Sequence, residues 1–158
     1  PTVEEFRDCP TSRRHGYLAA VVVYHLRDHL AEATAVLTGV SRTDQHAIRT
    51  AAEQVDAAVR DRTPFGGFDV VRGVCNGTKH ATTRQPHAVP FTAGTDKVRP
   101  PGTAGSLEVA PGLLVDPGGG REVIIGDARL DLYQAIRRTL SAFLALYPDL
   151  LSECSFTP

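Results

Sequence analysis

The sequence predicts a mainly α-helical protein: an antiparallel four-helix bundle with a long Pro/Gly-rich loop and a β-hairpin inserted before its last helix. Three observations carry that expectation. Apolar residues recur at three- and four-residue spacing in four separate stretches. Residues 86–120 hold seven Gly and six Pro, thirteen of thirty-five positions, a composition no helix tolerates. Two short apolar runs flank Pro117-Gly118-Gly119-Gly120 just before the last periodic stretch.

The first helix is expected over 16–37, where Leu18, Val22, Leu26, Leu30, Ala33 and Leu37 form one stripe and Tyr17, Val21 and Tyr24 a neighbouring one. Gly39 is placed to stop it in a left-handed conformation, and Ser41-Arg42-Thr43-Asp44 has capping-box spacing for a second helix with the seam Ile48, Ala51, Ala52, Val55, Ala58 and Val59. Thr63-Pro64 reads as N-cap and first residue of a third helix through Phe68, Val71 and Cys75, continuing to about Lys79 with Gly73 and Gly77 permitting close packing. Leu107, Val109, Leu113, Leu114 and Val115 are expected to pair with Glu122-Val123-Ile124-Ile125 as the hairpin. Asp127 is the expected cap of the last helix, whose stripe is Leu132, Tyr133, Ile136, Leu140, Phe143 and Leu144, and Pro148 marks its end. One domain over 1–158 follows, with an N-terminal arm at 1–14, an irregular arm at 84–106 and the hairpin at 107–126.

Charge and composition exclude several classes. Seventeen basic and eighteen acidic side chains give a net charge of −1, so no bulk field draws the chain to nucleic acid or an anionic membrane. No stretch approaches the roughly 18 apolar residues of a membrane span, and residues 1–14 lack the apolar run of a signal peptide, so a cytoplasmic protein is expected. Cys9, Cys75 and Cys154 form no CxxC pair, which argues against a disulfide framework or a thiolate zinc site. Only Lys79 and Lys97 stand beside 15 Arg, a bias of genomic kind that still makes Lys79 a rare choice.

The polar residues that stand out lie on the first and third helices. Asp28 continues the Val21 and Tyr24 stripe, and a carboxylate there needs a cation. Lys79 and Arg72 are the candidates, because a regular third helix groups Asp69, Arg72, Asn76, Lys79 and His80 within one sector. His25, Asp28, Asn76, Lys79 and His80 are thus expected to form a polar cluster between two helices. A metal site is not expected: His25 and His29 have i, i+4 spacing but lack a metalloprotease Glu, and Lys79 would repel a cation. No cofactor is expected either, since neither a GxSxG serine nor a phosphate-cradling loop occurs. What fits the residue types is metal-free acid–base cleavage of RNA, with His80 as the titrating group and Arg72, Lys79 and Asn76 around the phosphate.

The strings Ala20-Val21-Val22-Val23-Tyr24-His25-Leu26-Arg27-Asp28 and Asn76-Gly77-Thr78-Lys79-His80 resemble those of a loose group of small bacterial and phage-associated helical proteins. More distantly the chain is similar to HEPN-type helical bundles, many of them metal-independent ribonucleases of toxin–antitoxin and anti-phage systems. The HEPN pattern places His four to six residues beyond Arg; here seven residues separate Arg72 from His80 and three separate Arg42 from His46. The resemblance implies a defence-type module, a ribonuclease or its inactive relative, with RNA and a protein partner or second copy as expected partners. The competing expectation is a non-catalytic interaction protein whose polar cluster only fixes helix packing.

Overall fold

The computed structural model describes residues 2–63, 66–79, 91, 94–99, 119–125 and 128–152. Among them the chain is mainly helical, with five helices and a three-stranded antiparallel sheet: α1 (Thr2–Asp8), α2 (Arg13–Leu37), α3 (Gln45–Arg62), α4 (Gly67–Lys79), β1 (Lys97–Arg99), β2 (Gly120–Ile125), β3 (Ala128–Asp131) and α5 (Leu132–Leu146). No helix among the described residues is long and apolar enough to cross a membrane.

The four longer helices fall where the apolar spacing places them, and α2 stops at Gly39 and α4 at Lys79 as expected, while other helix ends are set by residues other than those expected. The 1–14 arm contains α1, whose buried Phe6 meets Tyr133 of α5 edge-on at 5.9 Å. Ser12 caps α2 by accepting the His15 N–H, so the helix starts three residues before Gly16. At its other end Gly39 has φ +83°, and the Val40 N–H reaches the Ala35 carbonyl while the Gly39 N–H reaches that of Val36, the paired bonds of a Schellman ending. Asp44, not Ser41, caps α3, accepting from Ala47 N at 3.0 Å; the Ser41 hydroxyl is engaged with Thr43 instead. Thr63 is not the cap of α4, because its hydroxyl bonds back to the Val59 carbonyl and closes α3. Pro64 lies outside the described residues.

The buried face of α2 is rotated from the expected one. Ala19, Ala20, Val23, Tyr24, Leu30, Ala31 and Ala35 are buried, whereas Leu18, Val22 and Leu37 of the expected stripe are exposed. Four of these seven buried residues are alanines, and this face packs against α3 and α4. On α4, Phe68, Val71, Val74 and Cys75 are fully buried; Phe68 sits between Tyr24 at 6.0 Å and Phe143 of α5 at 6.4 Å. Each such ring contributes roughly 1.5–3 kcal/mol by burial alone. As expected, α4 runs through Asn76-Gly77 to Lys79. Gly77 is there because Phe91 lies on it: a Cβ would stand 2.5 Å from the Phe91 carbonyl oxygen. Phe91 in turn meets Tyr17 edge-on at 5.7 Å, so the C-terminal end of α4 lies at the Tyr17 end of α2 and its start lies beside Tyr24.

The sheet has three strands in the order β1-β2-β3. β2 is central, with Lys97 to Arg99 paired to Glu122 to Gly120 on one side and Ala128 to Asp131 paired to Ile125 to Glu122 on the other. Residues 107–118, the expected partner run, lie outside the described residues. Because 128–131 are taken up as a strand, the last helix is capped by Asp131 and not by Asp127: one Asp131 oxygen accepts from Gln134 N at 2.9 Å and the other from Arg99 at 2.9 Å. Val123 is fully buried on the side where β2 packs against α5.

A buried carboxylate also ties this sheet to the helices. Asp96, next to β1, is buried and accepts from Tyr17 and Arg13 of α2 and from Arg121 of β2, which also holds the Thr11 carbonyl between α1 and α2. Burial would raise its pKa, but the hydrogen bonds from Tyr17 and Arg121 and the charges of Arg121 and Arg13 outweigh it and hold the carboxyl below its usual range.

Gly77→Ala is expected to cost about 1–3 kcal/mol through backbone displacement at Phe91, despite Ala's better helix propensity, and to lower the melting temperature by several degrees. Since the Asp96 carboxyl titrates lower in the folded than in the unfolded chain, its contribution is complete above the unfolded value of about 3.9 and is lost as pH falls through the folded value. Asp96→Asn should therefore melt earlier than the parent at neutral pH, with the gap narrowing below about pH 4; a constant gap across that range would remove the carboxylate's ionisation from the account.

Candidate functional site

Where α2, α3 and α4 meet, their polar residues converge. On α3 the apolar seam Ala52, Val55 and Val59 carries Asp56 with it, and the whole residue is only 6% exposed. Its carboxylate accepts from Arg27 Nε of α2 at 2.6 Å and stands 3.8 Å from Arg72 of α4. Arg27 also donates to Asp28 at 2.6 Å and lies over the Tyr24 ring at 5.4 Å. Arg60 of α3 grips Asp69 of α4 through both of its carboxylate oxygens, at 2.9 to 3.2 Å. Guanidinium groups suit these positions because a planar fork meets a carboxylate with two donors and is more weakly hydrated than an ammonium.

The electrostatics follow from burial. Desolvation pushes the Asp56 carboxyl above its usual range even though Arg27, Arg72 and Arg60 pull it down. Burial likewise pushes the Tyr24 phenol up, with Arg27 opposing. Beside this network opens a cleft of about 600 Å³, lined by Tyr24, Arg27, Asp56, Arg72 and Asn76, with Arg49, Glu53 and Arg60 from α3. Four guanidinium groups against two carboxylates make this lining net positive in a chain whose total is −1. Arg49 is 80% exposed, and its pair with Glu53 at 3.5 Å is weak in water. The arrangement can hold a phosphate or another oxyanion through several N–H donors.

The residues singled out from the sequence divide between places. Arg72 and Asn76 line the cleft. His25 and Asp28 are bonded to each other, Nδ1 to Oδ2 at 2.8 Å, and join the cleft through Arg27. The described partners of Asp28 are Arg27 and His25 on its own helix, and its side chain is 46% exposed because the buried face of α2 lies elsewhere. Lys79 ends α4 at the Tyr17 end of α2, eleven residues before Asp28, or about 16 Å of helix. His80 lies outside the described residues. Among the described residues no three His, Cys, Asp or Glu gather as a metal site.

Sequence reasoning missed Asp56, Arg27, Arg49 and Arg60. The signal for Asp56 was present, since it lies four residues after Ala52 and three before Val59, a carboxylate on an apolar seam. Comparison with known protein families, with curated proteins and with solved structures gives no match to this chain.

If the network is a cooperative unit, Arg27→Ala and Asp56→Ala should each destabilise by about 2–4 kcal/mol, and a double-mutant cycle should return a coupling above about 1 kcal/mol. The exposed pair Arg49 and Glu53 should return less than about 0.5 kcal/mol in the same denaturation experiment.

Proposed function

We propose that this protein is a HEPN-like bacterial module of the defence or toxin–antitoxin kind, its four longer helices forming an antiparallel bundle, and that it takes RNA in the cleft between α2, α3 and α4. What supports the reading is the cleft itself. Arg72 and Asn76, nominated from the sequence, share it with Arg49 and Arg60, so cations and amide donors converge where a phosphodiester can be held. In this reading Arg72 and Asn76 bind the phosphate, and His80, following α4, supplies metal-free acid–base chemistry. The attraction is local, because the chain as a whole is slightly acidic.

One observation favours the competing reading, an interaction protein in which the same polar residues fix helix packing. Arg27, Asp56 and Arg72 link three helices, and Arg60 with Asp69 links two of them again. Such charge pairs select a register even where they add little stability.

Fluorescence anisotropy with a short single-stranded RNA at low salt separates the two. Under the first reading the protein binds; Arg49→Ala, on an exposed side chain that folding does not need, weakens binding several-fold and flattens the salt dependence, and Arg72→Ala weakens it further. Cleavage of the same RNA should vanish in His80→Ala with the melting temperature within a few degrees of the parent. A protein that neither binds nor cuts RNA at low salt leaves the packing role as the function of the cluster.

A further inference from the structure

We propose that Glu53 makes the cleft selective for guanine, its two carboxylate oxygens accepting from the N1–H and the 2-amino group of one base. The inference rests on the reading of the cleft as an RNA site and adds to it the nucleotide that the site prefers. Arg49, Glu53, Asp56 and Arg60 stand at i, i+4, i+7 and i+11 on α3 and so turn one face of that helix to the cleft. Its volume of about 600 Å³ is that of a small-molecule site, a size that suits one nucleotide.

The lining divides into groups already committed and groups left accessible. The Asp56 side chain is only 8% exposed and is held by Arg27, while Arg60 grips Asp69. Tyr24 is 7% exposed with Arg27 over its ring, so the aromatic face on which single-stranded bases usually stack is covered. The Glu53 side chain is 64% exposed, and its pair with Arg49 is a loose one at 3.5 Å. A carboxylate at that place works against phosphate, since it removes one positive charge from a cationic lining.

Base reading gives that carboxylate a use. Phosphate contacts position an RNA chain but carry no sequence information, which comes from the edges of the bases. An ionised carboxylate only accepts, so it selects a base by the donors that the base presents. Guanine alone among the four offers two donors side by side on its Watson–Crick edge, N1–H and N2–H₂, and these match the two oxygens of Glu53. Adenine and cytosine set one amino group beside a ring-nitrogen lone pair, and uracil sets one N–H between two carbonyls; each turns a lone pair toward a carboxylate oxygen. Arg49 balances the charge of Glu53, so a phosphate can lie next to the base that Glu53 holds.

Fluorescence anisotropy at low salt tests the assignment, with four short oligouridine RNAs that differ in one central nucleotide: guanosine, inosine, adenosine or cytidine. The parent protein should bind the guanosine RNA about 10-fold more tightly than the adenosine and cytidine ones, and inosine, which keeps N1–H but lacks the 2-amino group, should fall between. Glu53→Gln should bring all four to within about 2-fold of one another, by weakening the guanosine RNA while the others bind as before or more tightly. That direction separates base reading from charge alone. A carboxylate that only repels phosphate would, once removed, tighten all four RNAs alike, and that result overturns the proposal. Equal affinity of the parent for the four RNAs also overturns it, with the RNA reading left standing; a parent that binds none of them overturns both. Since the Glu53 side chain is exposed, Glu53→Gln should keep the melting temperature of the parent, so a changed preference reports the site and not the fold.

Discussion

The burial of Asp56 constrains the rest of the helical packing. A carboxylate withdrawn from water between three helices is tolerated only with cations close by, and here they come from two different helices: Arg27, which donates to it at 2.6 Å, and Arg72, whose charge stands 3.8 Å away. That requirement sets the rotation of α2, since Arg27 must face α3. With Arg27 turned inward, Ala20, Val23, Tyr24 and Ala31 turn with it, and Leu18, Val22, His25 and His29 are carried toward the outside. The cleft and this outward face are two consequences of one orientation.

Asp96 plays a comparable part at the other end of α2. It gathers Tyr17, Arg13 and Arg121, and so joins the start of α2 to both β1 and β2. Phe91 adds an apolar anchor nearby, lying on Gly77 and against Tyr17. In both nodes the cation is arginine. The excess of Arg over Lys, which reads first as genomic bias, supplies the fork geometry that a buried carboxylate needs.

Helix existence was legible because periodic apolar spacing is a local record of which faces are buried. Helix ends were less so. Ser41, Asp44, Thr63, Asp127 and Asp131 all have side chains able to cap, and spacing alone does not rank them. Asp131 was selected over Asp127 because 128–131 pair with β2, and Thr63 closes α3 because its hydroxyl finds the Val59 carbonyl. The stripe on α2 was misassigned for a related reason: Leu and Val outrank Ala as core residues by hydrophobicity, yet the face that packs against α3 and α4 is the Ala-rich one. Half of the site was visible, Arg72 and Asn76 on one helix sector. The other half was not, because Arg27 and Asp56 lie 29 residues apart and meet only when α2 and α3 fold back on each other.

By itself, then, the sequence determined a mainly helical chain with its helices in order, a Pro/Gly-rich interruption that no helix can span, and a near-neutral charge that confines any anion binding to a local patch. Those properties follow from backbone propensity, periodicity and composition, each readable within a few turns of chain. Tertiary structure decided which face of α2 is inside, which aspartates are buried, which arginines answer them, and which strands flank β2. Such choices depend on pairs of groups distant in sequence, and a buried charge settles its partner by geometry in three dimensions.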